Sequence, residues 1–493
     1  MSNINFLIES DKTRIVESFM TSGGRGEIRK ILIVCGSIQI GVYSVFVSGL
    51  IAASIYAKSN PNSQFTTTLL VWPEWIIKPG FAWIGGIFTD KFGRKISLKF
   101  SLALSIIFSL VSCLIPADSQ YLELYIISRV FVCIMIGAVQ VTNYVIVSES
   151  VAQKFRTKCL FFLVITDCIG TLFGCFVMQI IVSIDWKMRL LVSAIPLVIA
   201  GLFALVFFKI DETPKYMVIS NQADRAYDKL LLPTSQPPAN PTIMRKDEFI
   251  RSIASLSCSR SQRGKISSLF DSRSKRLSYF LLFLWTVQAV VYWGAMSVLP
   301  QLFASSSSSS SSTSQSSLEI LLLLYVFEFL GILVAAVFSS KISVQQTLVW
   351  FQIVSTILLI IVCISMAVSA QWFLSASICG MFGSLTPIWG ILFVISTETF
   401  SPKIRATGLG LLMSTRIVQG VLETCLPLTT SYSWQPIVYV AIASGFSAFA
   451  VIVSWRKYTP AKNSAPLAQV PKSHSPCESL TSNVSSPKIY SKQ

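Results

Sequence analysis

"GGIFTDKFGRK", residues 85–95, ends an apolar run with two glycines and an aspartate, and a burst of cations follows. Asp90 is followed within nine positions by Lys91, Arg94, Lys95 and Lys99. Outward from this point the chain is apolar over long distances. Residues 31–57 carry no charged side chain, a run longer than the roughly 20 residues a helix needs to cross a bilayer. The 493 residues are 53% hydrophobic and 13% charged, about half the charge of an ordinary soluble chain. The mean hydropathy is +0.64. Lipid is therefore the expected solvent for most side chains, and Asp90 sits where a spanning segment reaches the membrane surface.

The apolar pattern predicts twelve spans, at about 31–57, 66–89, 96–116, 121–147, 159–183, 188–208, 277–302, 319–339, 345–368, 371–396, 406–430 and 434–455. The connecting loops alternate in charge. One set holds Arg25, Arg29 and Lys30, then Lys91, Arg94 and Lys95, then Lys154, Arg156 and Lys158, then the stretch 209–276, then Lys403 and Arg405, and last Arg456 and Lys457. The other set is nearly uncharged. Cations gather on the cytoplasmic side of membrane proteins, so both termini are expected there. The net charge of +17 then reflects topology and contact with anionic lipid, and no nucleic-acid partner is implied. Residues 209–276 divide the spans into 31–208 and 277–455, flanked by a 1–30 segment and a 456–493 tail rich in Ser, Pro and Lys. The central stretch is expected to hold short amphipathic helices. The serine run at 305–312, with the "TSQSS" that follows it, is expected to lack fixed structure on the outer side.

Composition removes several kinds of chemistry. The one histidine, His474, lies in the polar tail. The eleven cysteines form no CxxC pair and fall mostly inside apolar runs, as small packing residues do. No GxxxxGK[ST] phosphate loop is present, which disfavours an ATP-driven pump. The N-terminal stretch is polar, with no apolar core before residue 31, and is not expected to be a cleaved signal peptide. No catalytic group, metal or cofactor is expected.

The two halves repeat. "SESVAQKFRTK" at 148–158 matches "TETFSPKIRAT" at 397–407, with Glu149, Lys154 and Arg156 spaced as Glu398, Lys403 and Arg405, an offset of 249 residues. The same offset carries the first span onto the seventh. Parallel six-span repeats with a site between them are one layout of secondary transporters.

With these residues in place the chain resembles the major facilitator superfamily. "GGIFTDKFGRK" is similar to the G-x-x-x-D-[RK]-x-G-[RK]-[RK] signature through Gly86, Asp90, Lys91, Gly93, Arg94 and Lys95. "SRVFVCIMIGAVQVTNYVIVSES" at 128–150 and "DETPKYM" at 211–217 resemble segments of sugar porters and synaptic-vesicle-2-related transporters. "VVYWGAMSVLPQLF" at 290–303, which contains Tyr292, and "EFLG" at 328–331 look like the vesicle-2-related branch. The resemblance implies that Asp90 meets the start of the eleventh span and helps hold a cytoplasmic gate shut, together with Arg94, Glu149, Arg156, Glu398 and Arg405. Simple anchoring of two helix ends remains the other reading. Departures from the pattern are informative. The first span has no acid, Gln288 alone stands where sugar porters carry a run of polar residues, and the second copy of the gate motif reads "SSKIS" at 339–343.

Charges at membrane depth are few, and each is costly unless paired or hydrated. Glu74 and Lys78 are four residues apart, so they can pair on one helix face, either as a structural pair or as a solute site. Pro73 and Pro79 bracket them and predict a bend. Arg129 either matches a family arginine or reaches toward the surface from its helix end. Asp167, Glu328, Arg416 and Glu423 are the other candidates for a central cavity. Trp72, Trp75, Trp83, Trp293 and Trp389 either stack on a planar or cationic solute or pack at the membrane interface.

The expected fold is all-α, with twelve transmembrane helices in two six-helix bundles. The expected function is movement of a small organic solute, an organic ion or a sugar-like molecule, by alternating access. A receptor-like or vesicle-component protein on the same fold is the alternative. The expected partners are the solute, the lipid bilayer and a coupled proton or cation, with the chain acting as a monomer in the plasma membrane or an intracellular vesicle membrane.

Overall fold

The computed structural model describes residues 25–59, 70–115, 121–180, 185–207, 211–231, 246, 250, 263–271, 275–306, 313–368, 371–418 and 441–451. Glu423, the serines at 307–312 and the 456–493 tail lie outside the described residues.

Every regular element among the described residues is helical. A bilayer offers no water to bond backbone groups, so a spanning segment must satisfy its own N–H and C=O groups. The first half contains α1 (Arg25–Ser59), a π-turn (Pro73–Ile77) running into α2 (Lys78–Phe92), α3 (Arg94–Leu114), α4 (Leu122–Ser150), α5 (Gln153–Ile180) and α6 (Trp186–Leu202). Two short helices, α7 (Pro214–Ile219) and α8 (Ala223–Leu231), follow before a 3-10 turn at Ile266–Phe270. The second half contains α9 (Lys275–Ser306), α10 (Thr313–Lys341), α11 (Val344–Val368), α12 (Gln371–Thr399), α13 (Arg405–Ser414) and α14 (Ala441–Val451). Among the described residues, nine helices are long and apolar enough to span a membrane. The segment 313–317, expected to lack structure, instead opens α10. Its backbone gains helical bonds by continuing the apolar segment behind it.

The π-turn has a local cause. Pro79 has no N–H to give to the carbonyl four residues back, and its ring would crowd that carbonyl. The backbone widens instead, and Lys78 N–H bonds to the carbonyl of Pro73, five residues back. Single π-turns of this kind often mark functional positions. The bend expected between Pro73 and Pro79 takes this form.

The halves meet along two seams, α2 against α13 and α5 against α10. On the first seam, small residues let the backbones touch. A Cβ at Gly86 would strike the Ala406 carbonyl, and one at Gly410 would lie 2.8 Å from Trp83 Cα. The contact is reciprocal, so neither helix can carry a side chain there without the seam parting. Gly86→Leu should therefore cost on the order of 1–3 kcal/mol. The measurement is the melting temperature of the purified protein, which should fall by several degrees. An unchanged melting temperature would mean that this close approach is not needed.

Candidate functional site

Two constellations of polar groups are buried between the halves. The first lies where α2, α4 and α12 end and α13 begins. α2 stops because Gly93 takes φ +106°, a backbone region that disfavours L side chains. That turn places Asp90 on the last turn of α2 and Arg94 on the first turn of α3. Asp90 Oδ2 accepts from Thr407 N–H and Thr407 Oγ1, both at 2.8 Å. Its Oδ1 accepts from Ala406 N–H at 3.4 Å. These are first-turn groups of α13, whose own N-cap, Ile404, supplies no side-chain cap. Asp90 thus caps a helix of the other half, where a negative charge is favoured by the helix dipole.

Arg94 fans its guanidinium over several acceptors. Its Nε and Nη2 bind Glu149 at 3.0 and 2.9 Å, and Nη2 also reaches Asp90 at 3.1 Å and the Pro402 carbonyl at 2.8 Å. Glu149 further accepts from Arg405 Nη1 at 3.3 Å and Thr213 Oγ1 at 2.6 Å. Two carboxylates and two guanidinium groups from opposite halves are therefore sealed from solvent together. Arg156, also buried, adds its charge beside Arg405. Lys91 contributes its carbonyl, which accepts from Tyr216 Oη at 3.4 Å. Lys95 pairs with Asp211 at the surface, 3.4 Å away. Glu398, the repeat counterpart of Glu149, is exposed, so the repeat in sequence is not matched by a repeat in burial. The sequence "SSKIS" likewise does different work. Ser343 and Gln346 exchange side-chain and backbone bonds, each at 3.2 Å, a capping box that starts α11.

The sequence reading singled out none of the residues that cover this lock. Glu212 accepts from the N–H groups of Arg94 and Lys95 at 2.9 and 3.1 Å. Burial pushes its carboxyl above the ordinary value, against the pull of the Arg94 charge. The Tyr216 ring lies 4.4 Å from the Arg94 guanidinium, and Arg263 donates to Tyr216 Oη at 2.6 Å. Gly264 N–H bonds to the Lys403 carbonyl at 3.1 Å. The only sequence signal for this cover was "DETPKYM", which gave a resemblance but no partners.

The second constellation is a cavity at mid-depth, about 670 Å³ including its mouth. It draws Tyr43, Phe46, Val47 and Leu50 from α1 and Asp167, Cys168 and Thr171 from α5. The other half gives Tyr292 and Trp293 from α9, Tyr325 and Glu328 from α10, Thr386, Trp389 and Phe393 from α12, and Arg416 just past α13. Aromatic contacts between the halves flank it. Tyr144 stacks on Phe393 at 4.1 Å toward the lock, and Trp75 meets Trp293 edge-on at 4.2 Å toward the far end. Tyr144 Oη donates to Asp167 at 2.7 Å and Tyr292 Oη to Glu328 at 2.5 Å. Gln288 is spent on packing, since its Nε2 donates to the Leu385 carbonyl at 3.0 Å.

The expected Glu74–Lys78 pair does not form. Glu74 instead binds Arg129 of α4, with Nε to Oε1 at 3.0 Å and a second contact from Nη2. The widened π-turn removes the i,i+4 register that the pairing assumed. Arg129 does not reach the surface; it is buried and also bonds the Val45 carbonyl at 3.2 Å. Lys78 Nζ is buried without a hydrogen-bond partner, 3.7 Å from the Phe46 ring centre and 4.7 Å from that of Tyr43. Of the five tryptophans, Trp293 and Trp389 line the cavity, Trp75 abuts Trp293, and Trp72 is exposed.

The sequence profile of the family described as "Sugar (and other) transporter" matches residues 32–466. The synaptic vesicle 2-related protein of Bos taurus is 30% identical over 225 residues, 44% of this chain and 37% of that protein. Its Xenopus laevis counterpart is 29% identical over the same shares. The match thus spans little more than a third of the length of these relatives. Among solved structures, the proton:xylose symporter XylE bound to 6-bromo-6-deoxy-D-glucose superposes with a TM-score of 0.66 at 16% identity, covering 88% of this chain and 96% of that one. XylE from E. coli in a partially occluded inward-open conformation gives 0.63 at 16% identity, covering 89% and 99%. At that identity the likeness shows the fold, which is the major facilitator fold.

The lock makes a direct prediction. Asp90→Asn removes the charge that caps α13, worth on the order of 1–2 kcal/mol. Amide exchange of the peptide holding Ala406 and Thr407 should quicken about tenfold by mass spectrometry. Unchanged exchange there would show that α13 does not depend on Asp90.

Proposed function

The chain belongs to the sugar (and other) transporter family, and from that premise we propose that it carries a small organic solute across a membrane by alternating access. The observation that carries this reading is the cavity at mid-depth, lined by both halves and bounded by contacts that can part. A solute that touches both halves stabilises the state in which they close around it, and only such differential contact can bias the exchange between states. No bond is made or broken.

The basic loops favour the cytoplasmic side for the lock. The Asp90–Arg94–Glu149–Arg405 group then serves as the cytoplasmic gate, with Gly86, Gly93, Lys91, Lys95 and Arg156 supporting it. Glu398 is left outside it. The membrane is that of an intracellular vesicle, in keeping with the vesicle-related relatives, and the chain acts as a monomer.

The coupled ion in this reading is a proton carried by Glu328. That carboxylate is buried in the cavity wall, and no cation ion-pairs with it among the described residues. The polar groups facing it are the hydroxyls of Tyr292, Tyr325 and Thr386 and the Cys168 thiol across the cavity. Glu74 is already committed to Arg129, and Asp167 lies in the field of Lys78. Glu328 is therefore the cavity acid that no neighbouring cation biases among the described residues.

The test is uptake by purified protein in sealed vesicles, with a broad panel of labelled solutes and an imposed pH gradient. At least one solute should accumulate in the parent. In Glu328→Gln, gradient-driven accumulation should vanish while exchange of the same solute across the membrane persists. Failure to move any solute would support a receptor-like role. Persistence of pH-driven accumulation in the variant would exclude Glu328 as the proton carrier.

A further inference from the structure

Arg416 is a half-buried arginine in the cavity wall. Arg94, Arg129 and Arg405 each grip a carboxylate, at Glu149, Glu74 and Glu149 respectively. Arg416 grips none among the described residues, and its Nε is buried without a hydrogen-bond partner. Its guanidinium lies 5.4 Å from the Trp293 ring centre and 5.2 Å from that of Trp389. Both rings belong to the cavity wall. Thr415 and Arg416 form a tightened turn after α13, with N–H groups bonded three residues back to Leu412 and Met413 at 3.2 Å, before helical residues resume at 417–418.

A guanidinium without a carboxylate partner is expensive at membrane depth, and Arg416 has none among the described residues. Stacking on aromatic faces lowers that cost in part. Nε, on the guanidinium's N–H edge, is a donor with no hydrogen-bond partner among the described residues. That edge matches a carboxylate, which it binds through two parallel hydrogen bonds. The surroundings favour an anion further. Lys78 lies close enough for its charge and that of Arg416 to act on one another. The cavity's own carboxylates are each held by a tyrosine hydroxyl, Asp167 by Tyr144 and Glu328 by Tyr292.

We propose that the solute is an organic anion, a planar carboxylate whose charge is bound by the edge of Arg416 and whose flat body lies among the cavity aromatics. This rests on the transport reading of the same cavity and narrows it to one substrate class. Movement of such an anion together with a proton would leave little net charge to cross the membrane.

The experiment uses the full chain in lipid nanodiscs and equilibrium dialysis of radiolabelled probes. The carboxylates are benzoate and 1-naphthoate, the neutral analogue is benzamide, and the cation is benzylamine. At least one carboxylate should bind saturably, at least tenfold more tightly than benzamide, and benzylamine should not compete. Arg416→Gln should weaken carboxylate binding tenfold or more. Arg416→Lys, which keeps the charge but loses the fork, should fall between that variant and the parent. If Arg416→Gln does not fold, the parent's ranking of carboxylate against amide and amine decides the matter alone. The proposal is overturned if neither carboxylate binds, if benzamide or benzylamine binds as well, or if a folded Arg416→Gln binds carboxylate like the parent. Vesicle counterflow separates this from the transport reading. Arg416-dependent binding without counterflow would leave the anion site standing and refute transport, whereas counterflow of a neutral or cationic solute alone would do the reverse.

Discussion

The contact between the Asp90 carboxylate and the first turn of α13 ties one half of the molecule to the other. It is a helix cap supplied across a seam. Because α13 has no side-chain cap of its own, its start is satisfied only while the halves are together at that end. Gly86 and Gly410 allow the approach, Gly93 aims Arg94 back at Asp90, and Arg94 passes the link on to Glu149 and Arg405. Removal of one charged partner from such a buried group leaves another uncompensated, which costs on the order of 3–5 kcal/mol. Opening the whole lock to water is different, because every charge then regains hydration. A ligand shifts such an equilibrium only by as much as it binds one state more tightly than the other.

The two ends of the molecule use different physics. The lock end is held by ions and caps, and the far end by aromatic contact between Trp75 and Trp293. Hydrogen-bonded ions specify one register and release as a set. Edge-on aromatic contact tolerates sliding and small rotations. The second half shows the same division. Where the first half has Gly93, Arg94 and Asp90, the second has a Ser343–Gln346 capping box that starts a helix and binds nothing across a seam. One half carries the latch and the other receives it, consistent with loss of the second motif copy from the sequence.

The fold was legible because apolar run length and loop charge are strong, local signals. The 249-residue offset held for helix position, with α4 ending at Ser150 and α12 at Thr399. Asp90 was readable for its place in a fixed pattern. The rest depended on contacts distant in sequence. Glu74 was assigned to Lys78 because both were near in sequence, whereas its partner is Arg129, 55 residues away. A π-turn of five residues was enough to break the local rule. Glu212, Tyr216 and Arg263 lay in a polar stretch without apolar period, so nothing marked which of its residues would turn inward. Arg416 was one of several intramembrane charges until the structure showed which of them already had partners.

A buried ionic lock joins the halves at one end, and on the transport reading it must part for the cavity to open there. Spin labels introduced at Lys91 and Lys403, one on each half beside the lock, measure this by pulsed dipolar spectroscopy in vesicles. Glu149→Gln should shift the distance distribution from a short population toward a longer one already present as a minor state in the parent. A single short distance, unchanged by Glu149→Gln, would contradict the claim.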